Sequence, residues 1–375
     1  MTSRTLLVTN DFPPRPGGIQ AFVHGLISCL PADDVVVYAS SYDGWQKFDA
    51  AQPFRVVRYP RSMMLPTRAV AQQAATLVRD EGCRSVWFGA STPLGLLAPT
   101  LRRAGAERLV ASTHGHEVGW ASLPVARRVL RRIGRHVDTV TYLGEYTRRR
   151  IAPAFGSDVR MEQLAPGVDT SVFRPDVTSM RAQLGLADRP VVVCVSRLVA
   201  RKGQDTLIAA LPEIRRRVAD TALLMVGGGK YEQRLRRLAV KAGVERDVVF
   251  TGAVAWHELP AYYAAGDVFA MPCRTRYAGM DVEGLGVVFL EAAATGLPVV
   301  AGDSGGAADA VRDGETGLVV DGRSVTAVAD AVAGLLDDPE RAKAMGALGR
   351  AWVETDWQWH TLATRLQSLL APTVI

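Results

Sequence analysis

The sequence predicts an α/β protein of two domains, each a doubly wound parallel sheet with helices on both faces, and a ligand cleft between them. Short β-rich runs alternate with helical patterns along the whole chain, as in sheets covered by helices. At 375 residues the chain exceeds what one hydrophobic core usually supports. One stretch near the middle, residues 165–177, has neither periodicity and is rich in Pro and Gly, which indicates a linker.

The first half opens with a strand over residues 5–9, the loop NDFPPRPGG and a helical pattern over 19–30. Further strands are predicted in both halves, at residues 35–39, 85–89, 109–113 and 139–143, and then at 191–196, 222–227, 248–251, 268–271, 298–301 and 317–320. A final helical stretch, 339–370, is interrupted near 352–359, where tryptophans suit a domain junction. The predicted divisions are a first domain 1–168, a second domain 169–352 and a C-terminal helix 353–375 that returns towards the first.

The composition is that of a globular protein, because 48% of the residues are hydrophobic and 22% are charged. No apolar run is long enough to cross a bilayer, and no leader pattern follows Met1, so we expect a cytoplasmic protein. The net charge of +6 indicates an acidic partner. Four cysteines without a C-x-x-C pair are expected to be reduced core thiols rather than zinc ligands or disulfides.

The loop SRLVARKG carries two cations after the first strand of the second half. Arg197 stands at the strand end, and Lys202 follows just before a helix. Ligands of open α/β sheets bind outside the carboxyl ends of the strands, and an Arg fork beside a Lys charge suits a diphosphate. The alternative is a pair of solvated surface cations, but the position at a strand end favours the diphosphate.

Two carboxylates, Glu283 and Glu291, have seven residues between them in EGLGVVFLE. GLG is expected to open a helix, which would place Glu283 at an N-terminus that attracts anions. Eight helical steps would leave the two side chains about 80° apart around the axis, so both could border one ligand, at a sugar and at a ribose diol. The alternative is a capping Glu and a buried Glu paired with a distant Arg.

Two glycine loops could bring bare backbone against a ligand. Gly17 and Gly18 precede the first helix, where free N–H groups can face a phosphate; the pattern is not G-x-G-x-x-G, which disfavours a nicotinamide dinucleotide. Gly227 and Gly228 follow a strand in MVGGG. A plain turn is the alternative for each loop.

The segment THGHE brings His114 and His116 to the end of a predicted strand. We expect the two rings to face opposite sides, one entering the cleft while the other packs. A hydrogen-bonded structural histidine is the alternative. A metal site is disfavoured because no further ligands accompany the pair and the chain has no D-x-D motif.

The helix VARRVLRRIGRH is predicted to be amphipathic over residues 125–136. One face carries five arginines, which are Arg127, Arg128, Arg131, Arg132 and Arg135. The other face, which should dock on the sheet, carries Val125, Val129, Leu130 and Ile133. We favour contact with an anionic membrane surface over a merely solvated face. Nucleic acid is disfavoured because no aromatic residues are interleaved with the arginines.

Taken together, SRLVARKG, MVGGG, E-x₇-E and PGVDTSVFRP resemble the retaining GT-B glycosyltransferases of glycosyltransferase family 4, over nearly the whole chain. The resemblance implies that Arg197 and Lys202 hold the donor diphosphate, Glu291 the ribose and Glu283 the transferred sugar. It places a cleft histidine beside the anomeric carbon, and His116 fits that pattern better than His114. The donor-binding positions that it further implies are Gly17, Gly18, Gly227, Gly228, Val254, Met280, Gly284, Leu285 and Gly286.

Within the family, NDFPP-x-x-GGIQ, WFGA, STHGHEVGW and MPCRTR-x-AGMDVEGLG look particularly like the actinobacterial mannosyltransferases of phosphatidylinositol mannoside synthesis. This resemblance implies GDP-mannose as donor, phosphatidylinositol monomannoside as acceptor at the inner face of the plasma membrane, and no metal at the diphosphate. The alternatives are a family member with another donor or a soluble acceptor, a GT-B sugar-nucleotide epimerase, and a non-catalytic sensor. The loop GGAAD, residues 305–309, departs from the usual G-G-x-x-E, and Gly144 replaces a common Ser.

Overall fold

Two parallel sheets, one in each half of the chain, form the framework of this computed structural model, which describes residues 4–372. The chain divides into two compact units. The first runs to Gly167 and resumes at Trp359, and the second is Val168–Gln358. The first division therefore falls inside the Pro- and Gly-rich stretch that lacks either periodicity.

The first unit has a seven-stranded sheet in the order β3-β2-β1-β4-β5-β6-β7. Its strands are β1 Thr5–Thr9, β2 Val35–Ser40, β3 Arg55–Tyr59, β4 Ser85–Phe88, β5 Arg108–Ser112, β6 Thr139–Tyr142 and β7 Arg160–Gln163. Its helices are α1 Gly18–Ile27, α2 Trp45–Ala50, α3 Arg68–Asp80, α4 Ala98–Arg103, α5 Glu117–Ser122, α6 Pro124–Gly134, α7 Glu145–Phe155 and, from the end of the chain, α14 Trp359–Leu370.

The second unit repeats this plan with six strands in the order β10-β9-β8-β11-β12-β13. Its strands are β8 Val191–Val195, β9 Ala222–Val226, β10 Val248–Gly252, β11 Val268–Met271, β12 Val299–Gly302 and β13 Gly317–Val320. Its helices are α8 Gln204–Arg217, α9 Glu232–Lys241, α10 Leu259–Tyr263, α11 Val287–Ala294, α12 Val325–Leu336 and α13 Pro339–Asp356. All the paired strands in both sheets are parallel, so each sheet has one edge at which every carboxyl end lies.

Successive residues of β1 feed two cores, one on each face of the first sheet. Leu6 packs in one cluster and Leu7 in the other, because neighbouring side chains of a strand point to opposite faces. The cluster around Leu7 includes Leu366 of α14, so the last helix covers the face on which α1 also packs. The predicted break in the C-terminal helical stretch is confirmed, since α13 ends at Asp356 and α14 begins at Trp359.

The predicted strands are confirmed to within one residue at each end, but β3 and β7 were not predicted. Both are edge strands, and their sequences RVVRY and RMEQ lack the continuous apolar run of a fully buried parallel strand. The prediction of core thiols is correct for three cysteines and wrong for Cys29, which is exposed just beyond the end of α1. Within residues 4–372, no helix is both long and apolar enough to span a bilayer.

Candidate active site

Lys202 and Glu283 meet at the carboxyl edge of the second sheet. The Lys202 ammonium lies 2.7 Å from Glu283 Oε2, and both side chains are more than nine-tenths buried. Lys202 lies in the loop between β8 and α8, whereas Glu283 lies in the loop between β11 and α11. The fold thus joins the two motifs into one buried ion pair, which places a fixed positive charge and a fixed acceptor side by side.

A third charged side chain, which the sequence did not single out, borders this pair. Arg201 Nε lies 3.8 Å from Glu283 Oε2, and a guanidinium nitrogen of Arg201 lies 3.7 Å from Asp281 Oδ1. Arg201 Nε is buried without a hydrogen-bond partner among the described residues. Its place directly before Lys202 in a strand-end loop was the only signal in the sequence.

Arg197 is exposed, unlike Lys202, and has no carboxylate within 4.0 Å in the described part of the chain. The glycine loop holds the backbone around it: Leu198 N–H donates to Gly228 O at 2.9 Å, and Gly227 N–H donates to Gly252 O at 2.9 Å. A Cβ on Gly227 would lie 2.2 Å from Ser196 O. The MVGGG glycines therefore permit close packing of three strand-end loops, which leaves the Arg197 side chain free for a ligand.

Glu283 is not part of a helix, so the predicted position at a helix N-terminus is wrong. Helix α11 begins at Val287, after Gly286 adopts a left-handed conformation with φ 81°. The helical-wheel separation of Glu283 and Glu291 therefore does not apply. Instead, the loop after β12 clamps the Glu283 backbone, because Gly306 N–H donates to Glu283 O at 2.9 Å.

The clamp requires glycine at both positions of the GGAAD loop. A Cβ on Gly305, which has φ 59°, would lie 2.0 Å from Glu283 O, and one on Gly306 would lie 2.1 Å from Gly284 O. The two glycines that match the family pattern thus support the backbone that carries Glu283.

Glu291 belongs to a separate polar contact on α11. Tyr263, at the end of α10, donates its hydroxyl to Glu291 Oε2 at 2.7 Å. Burial raises the pKa of Glu291, and the Tyr263 hydrogen bond acts in the opposite direction. Burial and the adjacent carboxylate raise the pKa of Tyr263 well above its ordinary value, so this phenol stays a donor. Tyr263 was missed because the sequence gives no spacing that links it to Glu291.

The remaining predicted donor positions occupy loops at the same edge of this sheet. Met280 is 84% exposed, and Val254 is partly buried just after β10. Gly284 is partly buried, whereas Leu285 and Gly286 are buried between Glu283 and the first turn of α11. Met280 is therefore the most accessible of these five side chains or backbones.

In the first unit, Gly17 and Gly18 lie at the N-terminus of α1, which no side chain caps within the described residues. A Cβ on Gly17 would lie 2.1 Å from Gln20 Oε1, whereas one on Gly18 would meet no atom within 4 Å. Gln20 in turn donates to Asp11 Oδ1 at 2.8 Å. The space beside Gly18 is therefore open next to the first N–H groups of α1, which agrees with the predicted anion site at this terminus.

The prediction that His114 and His116 face opposite sides is wrong. Their rings stack with centroids 6.3 Å apart and 19° between the planes. Residues two apart in an extended segment share a face, and the positive φ of Gly115, 93°, then turns the chain into α5. His114 Nε2 lies 2.6 Å from Gly89 O, and burial lowers the pKa of His114 despite the nearby Glu117. His116 is 43% exposed and is the more accessible ring.

All five predicted arginines are exposed, four of them on α6 and Arg135 just after its last residue. None has a carboxylate within 4.0 Å in the part of the chain that the structure describes. On the opposite side, Leu130 and Ile133 are buried as predicted. Val125 was wrongly placed on the docking face: it is 73% exposed, because it lies in the first turn of α6, where the helix projects beyond the core.

Among residues 4–372, no three His, Cys, Asp or Glu side chains are grouped as ligands for a metal ion. The residues in the candidate site that could contact a diphosphate are cations and backbone N–H groups instead. That no metal is needed at the diphosphate stays a prediction.

Comparison with known proteins gives this geometry a family. Residues 16–172 match the model of Glycosyltransferase Family 4, and residues 176–352 match that of Glycosyl transferases group 1. The Anabaena protein Alr3699/HepE, solved in complex with UDP, has the same fold at a TM-score of 0.82 and 20% identity, with 98% of this chain and 99% of that chain covered. The fold is therefore GT-B, as predicted.

Several curated relatives match over nearly the whole sequence. The GDP-mannose-dependent alpha-(1-6)-phosphatidylinositol monomannoside mannosyltransferase of Mycolicibacterium smegmatis is 56% identical, with 98% of each chain covered. A Corynebacterium glutamicum enzyme named for a monoacylated form of that acceptor is 48% identical over 98% of this chain and 97% of its own. The chain belongs to the family of the phosphatidylinositol monomannoside mannosyltransferases, within glycosyltransferase family 4.

Proposed function

We propose that this protein transfers mannose, with retention of configuration, from GDP-mannose to the inositol of phosphatidylinositol monomannoside. The observation that carries the proposal is the 56% identity, over 98% of each chain, to a relative named for that reaction. The buried pair of Lys202 and Glu283 supports the proposal, because the pair supplies a cation and a hydrogen-bond acceptor for the sugar at one edge of the sheet. The donor and acceptor are those implied by the sequence motifs.

In the proposed reaction, the bond between mannose C1 and the β-phosphate oxygen breaks, and its electron pair stays on GDP. Lys202 and Arg197 stabilise the charge that develops there, as oriented cations do in a site from which water is excluded. The acceptor hydroxyl attacks C1 from the same face and gives its proton to the departing phosphate oxygen. No metal takes part at the diphosphate.

Glu283 and Glu291 divide the recognition of the donor. Glu283, clamped through its backbone, accepts a hydrogen bond from the sugar, and Glu291, oriented by Tyr263, accepts hydrogen bonds from the ribose diol. Gly17 and Gly18 offer N–H groups of α1 to a donor phosphate. His116 supports the sugar beside the positive charge that develops at C1.

The acceptor is proposed to arrive at an anionic membrane surface that binds α6. The four arginines of α6 and Arg135 just after it have no carboxylate partners in the described residues, so their charge is available to lipid phosphates. Leu123 and Val125, 61% and 73% exposed, lie at the start of the same helix. Arginines beside exposed apolar side chains are typical of surfaces that rest on lipid headgroups, so association would be peripheral. Nucleic acid is not an expected partner.

A two-part experiment tests the proposal. GDP and GDP-mannose should raise the melting temperature through mass action, more than UDP or UDP-glucose at equal concentration. Purified protein should then transfer labelled mannose to phosphatidylinositol monomannoside in vesicles. A clear preference for UDP-sugars would refute the donor, transfer to a water-soluble acceptor alone would refute the lipid, and conversion of the donor without an acceptor would identify an epimerase.

A further inference from the structure

Arg274, in the loop after β11, donates four hydrogen bonds to residues that flank Lys202 in the sequence. One terminal nitrogen of its guanidinium donates to both carboxylate oxygens of Asp205, at 2.7 and 2.8 Å. The other terminal nitrogen donates to the Thr206 hydroxyl at 3.0 Å, and the Arg274 backbone N–H donates to Arg201 O at 2.8 Å. Arg274 therefore holds the chain on both sides of Lys202.

The loops that carry Lys202 and Glu283 are also in direct backbone contact. Gly203 adopts a left-handed conformation with φ 76°, and a Cβ on this residue would lie 1.8 Å from Pro272 O. Pro272 begins the loop that contains Arg274 and continues to Glu283. The two loops are thus joined through their backbones and through Arg274, as well as through the ion pair at their ends.

Two further strand-end loops attach to the partners of Arg274. Tyr231, which follows β9, donates its hydroxyl to Asp205 Oδ2 at 3.1 Å. The Thr206 hydroxyl donates to the carbonyl of Gly322, which follows β13, at 2.9 Å. The loops after β8, β9, β11 and β13 therefore converge on these hydrogen bonds. A polar network whose members are all hydrogen-bonded makes its surroundings rigid.

We propose that Arg274 is a positioning residue that sets the place of Lys202 for the leaving diphosphate. A cation stabilises a transition state when it is held where negative charge develops. A lysine ammonium sits on a flexible stem, so its place depends on how firmly the backbone below it is held. Arg274 supplies that constraint on both sides of Lys202. The role rests on Lys202 as a diphosphate ligand, which is part of the proposed function.

The affinity for GDP, measured by calorimetry, tests this role in Arg274→Lys. The variant keeps the positive charge but loses the two nitrogens that reach Asp205 and Thr206 separately. GDP should bind about tenfold more weakly, because a hydrogen bond from a charged group to the diphosphate is misaligned.

The matched control is Arg189→Lys, at the opposite edge of the same sheet. Arg189 is also partly buried, and it donates to Asp247 Oδ1 at 2.6 Å and to Asp220 O at 2.8 Å. Its replacement should lower the melting temperature as Arg274→Lys does, but it should leave GDP affinity unchanged. Equal GDP affinity in Arg274→Lys and the wild type, or an equal loss in the two variants, overturns the proposal.

A double-mutant cycle with Lys202→Met separates positioning from stability. If Arg274 acts through Lys202, Arg274→Lys should weaken GDP binding in the wild-type background but hardly at all when Lys202 is already absent. Additive losses in the double variant overturn the proposal. Where Arg274→Lys does not fold, Asp205→Asn, which removes the charge of the carboxylate that Arg274 holds, is measured in the same cycle.

Failure of the proposed function gives different results. A wild type that binds UDP in place of GDP refutes GDP-mannose as the donor, and the cycle is then measured with UDP. A wild type that binds a nucleoside diphosphate but transfers no mannose refutes the proposed reaction, while the cycle still decides the role of Arg274. A wild type that binds neither nucleotide overturns Lys202 as a diphosphate ligand and the role of Arg274 with it.

Discussion

The protein carries its cations in two contrasting settings. At the edge of the second sheet, two cations are largely buried and paired: Lys202 faces Glu283 at 2.7 Å, and Arg274 meets both oxygens of Asp205 at 2.7 and 2.8 Å. On α6 and directly after it, five arginines are exposed, and the described residues offer them no carboxylate within 4.0 Å. Positive charge is thus buried and ion-paired in the first setting, and exposed without a carboxylate partner in the second.

The two settings should differ in how they respond to mutation and salt. Removing one member of a buried pair leaves the other as an uncompensated charge, which is expensive and little affected by ions in solution. An exposed cation interacts with a distant surface through water, so each one contributes little and salt screens its effect. The response to mutation and salt therefore distinguishes the sheet edge, where a cation holds a reacting group, from α6, where cations attract a partner surface.

The largest effect is expected from Lys202→Met. Loss of the ammonium should reduce kcat/KM by at least about 3 kcal/mol, more than a hundredfold, because its charge acts where the leaving diphosphate develops charge. The melting temperature should also fall, since Glu283 stays buried without its partner. Lys241→Met on α9, an exposed lysine of the same unit, is the control. Near-normal turnover in Lys202→Met would remove the buried pair from the mechanism.

A smaller loss is expected from Tyr263→Phe, which deletes the hydroxyl that donates to Glu291. GDP should bind about tenfold more weakly, or by about 1.4 kcal/mol, because a bond to a buried carboxylate is lost. The pKa of Glu291, already raised by burial, should rise further without this donor. As the pH is lowered, GDP binding that needs the ionised Glu291 should therefore begin to weaken at a higher pH in the variant than in the wild type.

Calorimetric titration with GDP over a pH series measures both effects. Tyr262→Phe, in the same helix, is the matched control. Equal binding by Tyr263→Phe and the wild type at every pH would show that Glu291 does not contact the ribose.

Still smaller effects are expected for each arginine of α6. Arg128→Gln should weaken sedimentation with anionic vesicles by about 1 kcal/mol, roughly fivefold, and further Arg→Gln changes on this helix should add to the loss. Rising salt should reproduce the effect in the wild type. Breakdown of GDP-mannose without acceptor should be unchanged. Arg149→Gln is the control, because Arg149 is exposed but already paired with Glu145 at 3.0 Å. An equal loss of vesicle binding in both variants would contradict the hypothesis that the unpaired arginines of α6 bind the anionic membrane.

The sequence predicted the elements best where burial is complete. β8 and β9 are continuous apolar runs, VVVCV and ALLMV, and their limits were placed to within a residue. β3 and β7 lie at sheet edges and carry charged residues, so no local pattern distinguished them from loops. A parallel edge strand is defined by its neighbour, which a single sequence does not display.

The candidate site was predicted as positions rather than as contacts. Strand-end loops identified Lys202 and Glu283 separately, but their ion pair joins segments far apart in the sequence. The hydrogen bond between Tyr263 and Glu291 and the place of Arg201 arise in the same way, from the crossover order of the sheet. Local spacing fixes which residues reach an edge, and topology fixes which of them meet.

The smallest effect is expected at His114, which follows β5 in the first unit, and it tests whether this side chain is shielded from water as the buried pair of Lys202 and Glu283 is. Burial lowers the pKa of His114, so the folded state favours the neutral ring. This contributes stability that is fully present above the unfolded pKa near 6.5 and is lost as pH falls through the lower folded pKa. Thermal unfolding should therefore show a loss of at most about 1.4 kcal/mol per pH unit below that point, which His114→Asn removes. His136→Asn, at an exposed histidine, should keep the wild-type slope; if both variants kept it, His114 would be as open to water as the arginines of α6.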